Sequence, residues 1–195
     1  MSNSALLVID IQNDYFPNGR FPLWNTDATL DNIKQLMAKA KAQDIPIFLV
    51  QHVSSAPKGK APFFEEGSVG VEIHPDVISI CPDAEIIQKQ HADSFYQTNL
   101  EQALERNGVD ELLICGMMTQ NCVTHTAISK AAEKYNVSII EDCCTTTDQM
   151  IHNIALSAVS IRVPLLASSD VLSKINAQQK INRYHSPVSS HTIRT

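Results

Sequence analysis

Residues Ala5 to Ile11 read ALLVIDI, an apolar run interrupted only by the carboxylate of Asp10. A strand with one wet face alternates apolar and polar residues. A run without alternation predicts a strand covered on both faces, as in a parallel sheet. Downstream, Leu30, Ile33, Leu36, Met37 and Ala40 recur at helical spacing behind the capping candidates Thr26 and Asp27, which predicts a helix over Asp27 to Gln43. Ile45 to Gln51, IPIFLVQ, then reads as a second strand. Strand, helix, strand is a βαβ unit, and its connection is right-handed almost without exception.

The same rhythm organises the rest of the chain. His52 to Pro82 carries Pro57, Pro62, Pro75, Gly59, Gly67 and Gly70, too much punctuation for a long regular element, so a long loop is expected there. Ala84 to Lys89 resumes as a strand. A helix follows, opened by a Thr98–Glu101 capping box and closed by Asn107-Gly108, and Glu111 to Cys115 is the next strand. A helix over about Asn121 to Tyr135, a strand ending at Asp142, a helix over about Thr147 to Ser160 and the short strand VPLLA complete six strands alternating with helices. The expectation is a doubly wound, Rossmann-like three-layer α/β sandwich with a six-stranded parallel sheet. It forms one domain over residues 1–176, followed by a polar tail over 177–195 that serves as a disordered end or an oligomerisation arm.

Composition narrows the function. The 195 residues carry 15 Lys and Arg against 21 Asp and Glu, a net charge of −6, and no basic stripe able to track a phosphate backbone, so nucleic acid is not an expected partner. No apolar run is long enough to cross a bilayer, and Met1 to Ser4 lacks the start of a signal peptide, which predicts a cytoplasmic protein without a membrane partner. Five cysteines, an odd number without CxxC or Cys/His zinc spacing, fit a reduced compartment. There is no GxGxxG and no GxxxxGK[ST], and His52 is the only histidine placed at a strand end; neither a nucleotide cofactor nor a metal is expected.

Ligands of open α/β sheets bind beyond the carboxyl ends of the strands. Asp10, Lys89 and Cys122 are the polar residues expected there. Asp10 and Lys89 alone are compatible with a loop cap and a solvated lysine. Cys122 follows Gly116-Met-Met-Thr-Gln-Asn at the expected first turn of a helix, where free N–H groups and the helix dipole would lower its pKa. A carboxylate base, a cation and a thiol beside backbone donors together suit acyl transfer through a thioester. Cys115, Cys143 and Cys144 are read as core or pocket lining. His125, one helical turn from Cys122, is too local for a papain-like base and is read as a pocket residue.

With these residues in place, the chain resembles the isochorismatase-like cysteine hydrolases, which include nicotinamidases, N-carbamoylsarcosine amidases and isochorismatases. The resemblance rests on LLVIDIQNDYF around Asp10, IIQKQHADSF with Lys89, Ser94 and Phe95, GMMTQNCVTHTA with Cys122, and VSIIEDC reaching Asp142, and covers about residues 5 to 170. It implies an Asp10, Lys89 and Cys122 triad, a cis peptide at Met117-Met118, and an oxyanion hole from the N–H groups of Met118 and Cys122. It also implies a homodimer or homotetramer. Gln12, Tyr15, Phe16, Trp24, His52, Phe95, Thr119, Gln120 and His125 are the expected lining for a small-molecule substrate.

Two departures shape the expected activity. Nicotinamidases hold a metal with an Asp-x-His and a second His after strand two, where this chain reads Val50-Gln51-His52-Val53-Ser54. Isochorismatases that cleave a vinyl ether have a small residue where Cys122 stands. The expected reaction is therefore hydrolysis of an amide or carbamoyl C–N bond; the alternatives are vinyl ether hydrolysis, a metal-dependent nicotinamidase, or a non-catalytic module binding a metabolite or partner.

Overall fold

The computed structural model describes residues 3–175. Six strands form one sheet: β1 (Ser4–Ile9), β2 (Ile47–His52), β3 (Glu85–Lys89), β4 (Glu111–Met117), β5 (Asn136–Thr145) and β6 (Leu165–Leu166). Their order is β3-β2-β1-β4-β5-β6, every pairing is parallel, and helices cover both faces. The expected α/β architecture is therefore what the chain adopts. Ala5 to Ile9 are all at most 2 % exposed, which is why that strand shows no alternation.

The helices are α1 (Thr26–Lys41), α2 (Pro75–Ile80), α3 (Leu100–Arg106), α4 (Thr124–Ala127) and α5 (Gln149–Val159), and a further helical stretch covers 168–175. α1 buries Leu30, Ile33, Leu36, Met37 and Ala40, the predicted stripe. Among the described residues no helix is long and apolar enough to cross a membrane. The tail expected over 177–195 lies outside the described residues.

Four local expectations change. The helix over Asn121 to Tyr135 is instead a wide π turn (Thr119–Val123), the one-turn α4 and a 3-10 turn (Ala131–Lys134). The capping box does not form: α3 begins one residue later, Thr98 Oγ1 accepts from the Leu100 N–H at 3.2 Å, and Glu101 pairs with Lys134. β5 runs on to Thr145 past a register shift opposite Ile114 and Gly116. There the Asp142 carboxylate accepts from the Ser168 N–H and hydroxyl at 2.7 and 2.6 Å, tying β5 to the chain after β6. Finally, the 52–82 segment contains α2 and a 3-10 turn (Val69–Val71), and is anchored rather than loose. Phe64 is 1 % exposed against Tyr15, and the buried Asp14 carboxylate accepts from the N–H groups of Phe64 and Arg20 at 2.6 and 3.1 Å.

Candidate active site

The strand order reverses direction between β1 and β4, the switch point at which a crevice opens at the carboxyl end of the sheet. Asp10 directly follows β1 there, at φ +53°, a left-handed conformation that Asp tolerates better than most residues. Lys89 ends β3, paired in register with His52 at the end of β2. Cys122 lies on the turn after β4. The fold thus gathers three side chains that are 79 and 33 residues apart in sequence.

Lys89 is the hub. Its Nζ lies 2.8 Å from Asp10 Oδ2, 3.1 Å from Cys122 Sγ, 3.1 Å from His52 Nδ1 and 3.1 Å from the His91 carbonyl oxygen. An ammonium has three N–H donors, so these acceptors share them. Asp10, Lys89 and Cys122 are 0, 2 and 2 % exposed. Burial works against the Lys89 charge, but the Asp10 carboxylate and Cys122 outweigh it and hold its pKa above the ordinary value. Asp10 Oδ1, also buried, has no hydrogen-bond partner.

The turn carrying Cys122 is set by its neighbours. Gly116 sits at φ +125° against β1, where a Cβ would stand 2.1 Å from the Ile9 carbonyl oxygen, so only glycine fits. The Met117-Met118 peptide is cis, as the resemblance implied. The Met118 carbonyl then accepts from the N–H groups of Asn121 and Val123 at 3.0 and 3.3 Å, which closes the π turn. The expected lowering of the Cys122 pKa is not found. Cys122 stands inside a buried turn, not at the open end of a helix, and burial, reinforced by the Asp10 carboxylate, pushes the thiol up to about 12 despite Lys89.

The expected lining residues divide. His52 contacts Lys89 directly, and burial followed by the Lys89 charge lowers its pKa, keeping the ring neutral at pH 7. Its Nδ1 accepts from the ammonium, which leaves Nε2 as the protonated nitrogen. Thr119 and Gln120 lie on the Cys122 turn; the Thr146 hydroxyl donates to Gln120 Oε1 at 2.5 Å, and Trp24 N–H donates to the Thr146 carbonyl at 2.8 Å. Tyr15 is buried among Phe21, Phe63 and Phe64, with its phenol pKa raised by burial first and then by Asp10 and Cys122.

Others have different tasks. Gln12 spends both amide donors on the carbonyls of His52 and Val71 at 2.8 and 2.7 Å and accepts from the His52 N–H, so it braces the chain rather than offering a free donor to a ligand. Phe16 packs on His74 and lines a separate cavity of about 580 Å³ with Asn13, Arg20 and Val69. Phe95 stacks on Tyr135 at 6.1 Å. His125 is exposed and bonds the Asn121 carbonyl at 2.8 Å. Sequence reading passed over His152, whose Nδ1 lies 2.9 Å from Thr119 Oγ1 and whose ring is 6.0 Å from Trp24; nothing local marks a mid-helix histidine as a neighbour of that turn.

Asp10, His52 and Cys122 place an oxygen, a nitrogen and a sulfur ligand atom within 4.8 Å of one another. That donor set suits zinc in kind. Yet the Lys89 ammonium is hydrogen-bonded to all three groups, so a divalent cation would have to share their centre with a positive charge. The residues present do not fit a resident metal.

Residues 4–170 match the isochorismatase domain family model. The chain is 36 % identical over 165 residues to the uncharacterized isochorismatase family protein YddQ of Bacillus subtilis, covering 85 % of this chain and 90 % of that protein. It is 31 % identical over 180 residues to the secreted isochorismatase effector Isc1 of Verticillium dahliae, covering 92 % and 90 %. A crystal structure described as an isochorismatase hydrolase from Oleispira antarctica superposes with a TM-score of 0.79 at 30 % identity, covering 88 % of this chain and 97 % of that one.

Proposed function

Because the chain belongs to the isochorismatase family, a family of hydrolases, we propose that it hydrolyses the C–N bond of a small amide or carbamoyl compound through a thioester on Cys122. The observation that carries this reading is the Lys89 ammonium held between Asp10 Oδ2 at 2.8 Å and Cys122 Sγ at 3.1 Å, all three nearly inaccessible to water.

In this mechanism the enzyme rests as a Cys122 thiol beside an Asp10 carboxylate. As a substrate carbonyl arrives, the thiol proton passes to Asp10, whose Oδ1 has no other partner, and sulfur attacks the carbonyl carbon. The N–H groups of Met118 and Cys122 receive the developing oxyanion; one such donor is typically worth about 10²–10³ in rate. Lys89 holds the carboxylate and the sulfur in place and offsets the negative charge that passes between them. Asp10 returns the proton to the leaving nitrogen, the C–N bond breaks, and ammonia or an amine departs. Water, deprotonated by Asp10, then attacks the thioester and releases the acid, and the proton returns to Cys122. His52 contacts the Lys89 ammonium, and exclusion of bulk water from these buried groups strengthens each of these interactions.

The test is ammonia or amine release from a panel of small amides, ureides and carbamoyl compounds, with acyl-enzyme detection by mass spectrometry. Cys122→Ala should keep the fold and lose at least about 10³-fold in turnover. Wild-type rates in that variant would sink the thioester and return vinyl ether hydrolysis, which needs no nucleophile, to consideration. Rapid alkylation of the free protein is not expected, since the resting thiol has a raised pKa. Activity should also survive exhaustive chelation; loss with EDTA and recovery with zinc would contradict the mechanism.

A further inference from the structure

Two consecutive residues of the Cys122 turn are held from outside it by the chain that runs from β5 into α5. The hydroxyl of the fully buried Thr119 lies 2.9 Å from His152 Nδ1, and Gln120 Oε1 accepts from the Thr146 hydroxyl at 2.5 Å. These contacts reach across 33 and 26 residues to the two positions that directly follow Met118. Thr146 is buried, and its carbonyl accepts from the Trp24 N–H. His152 comes from the start of α5, where Asp148 caps the helix by accepting from the Ile151 N–H at 2.9 Å. Its ring is half-buried, with the Trp24 ring 6.0 Å away. The direction of the Thr119 bond follows from its surroundings. Among the described residues the Thr119 hydroxyl has no other partner, so it donates to Nδ1 and the proton of the ring rests on Nε2. Burial lowers the His152 pKa, with Glu141 opposing, which favours this neutral, accepting form.

We propose, on the thioester reading above, that His152 is a positioning residue for the attack: through the Thr119 hydroxyl it holds the turn so that the Met118 and Cys122 N–H groups converge on one oxygen. Met118 is the residue this controls. On its upstream side the chain is fixed by Gly116, which packs against Ile9 with no room for a side chain. On its downstream side the next residue is Thr119, anchored to α5 by His152. The turn's own bonds, from the Asn121 and Val123 N–H groups to the Met118 carbonyl, set its shape. The Thr119–His152 and Gln120–Thr146 bonds tie that shape to the rest of the fold. The demand for precision is chemical. Oxyanion donors act when they lie about 2.7–3.1 Å from the place the charged oxygen will occupy, and a displacement of about 1 Å can cost about 100-fold in rate. Such a loss falls on the transition state, not on the binding of substrate, because the oxygen carries its full charge only there.

The experiment measures kcat, KM and Tm in full-length variants, together with alkylation of Cys122 by iodoacetamide, read by peptide mass spectrometry. His152→Phe keeps the bulk of the ring and removes the acceptor; it should lower kcat by about 10–100-fold and leave KM within about twofold. Thr119→Val removes the donor and should do the same. The double variant should be no slower than either single one, since both remove one bond. His152→Asn sets an amide oxygen near the place of Nδ1 and should recover most of kcat, as Thr119→Ser should retain it. Val159→Ala, a cavity two turns further along α5, is the control: it should lower Tm and leave kcat unchanged. Loosening the turn should also make the buried sulfur accessible, so His152→Phe and Thr119→Val should each speed alkylation of Cys122 several-fold. Full kcat in His152→Phe, losses that multiply in the double variant, or an equal loss in Val159→Ala would overturn the proposal. Wild-type turnover in Cys122→Ala would sink the thioester reading instead. Alkylation needs no substrate, and rates unchanged by His152→Phe and Thr119→Val would overturn the hold on the turn whatever the reaction.

Discussion

At the scale of the residue, the buried Asp10–Lys89 pair decides most. Both side chains are fully inaccessible, and taking two charges out of water is costly unless each satisfies the other. The pair is therefore weak evidence for stability but a strong constraint once present. Lys89→Met leaves the Asp10 carboxylate buried without its cation, a loss of about 3–5 kcal/mol. For a chain of this length that lowers Tm by roughly 6–20 °C. Asp10→Asn in the Lys89→Met background removes the orphaned charge, so the double variant should be more stable than Lys89→Met alone while remaining inactive. Calorimetry of the two variants measures this coupling, and additive losses would show that the pair is not the buried unit described. Cys122 illustrates the same physics from the other side: its position in the sequence predicts a low pKa, yet its burial gives a high one.

At the scale of the element, the carboxyl ends of β1, β3 and β4 aim the chemistry, and β4 meets β1 at Gly116 with no room for a side chain. A Cβ there meets the Ile9 carbonyl at 2.1 Å and its amide nitrogen at 2.7 Å, on a backbone conformation that side chains rarely adopt. Gly116→Ala should therefore push β4 from β1, cost more than the roughly 1 kcal/mol typical of a substitution, and displace the turn bearing Met118 and Cys122. Turnover should fall further than the melting temperature alone explains; a fully active, equally stable variant would contradict the close approach. The strands themselves were legible in the sequence, because burial on both faces leaves continuous apolar runs such as ALLVIDI and IPIFLVQ. Asp10 and Lys89 were legible because a polar residue at the end of such a run has few places to go, and Cys122 because it stands on the turn that follows the next strand. Residues 119–135 were not, since a π turn and a 3-10 turn share the helix's composition and differ only in which carbonyl each N–H finds. Nor was the pairing of His152 with Thr119, or the use of Gln12 as a brace, since both depend on contacts across 33 and 40 residues or more.

At the scale of the whole molecule, the histidines couple stability to pH. His52, His74 and His152 all have pKa values lowered from 6.5, in each case by burial first; Lys89 adds to the effect at His52 and Lys34 at His74, while Asp10, Asp76 and Glu141 partly oppose it at the three sites. A lowered histidine pKa means that the unfolded chain takes up protons before the folded one does. The stability these three sites contribute is therefore complete above the unfolded value of 6.5 and is lost as pH falls through their folded values. Acid also reaches the carboxylates of Asp76 and Glu65, whose pKa values are lowered from the ordinary carboxylate range first by the hydrogen bond from Lys34 and by that from the Gly59 N–H, so they protonate after the histidines. The first loss on acidification thus belongs to the histidines. Tm should be level from pH 8 to about 6.5 and then decline toward pH 5, well before the carboxylates titrate. His74→Gln, which lies away from Cys122, should flatten part of that decline without changing the shape of the activity profile. His52 contacts the Lys89 ammonium directly, and its protonation should depress turnover over the same range by setting two positive charges 3.1 Å apart. Melting curves and rate profiles recorded across pH 8 to 5 separate the two effects, and a Tm that stays constant down to pH 5 would mean that the three rings are no harder to protonate in the fold than in the open chain.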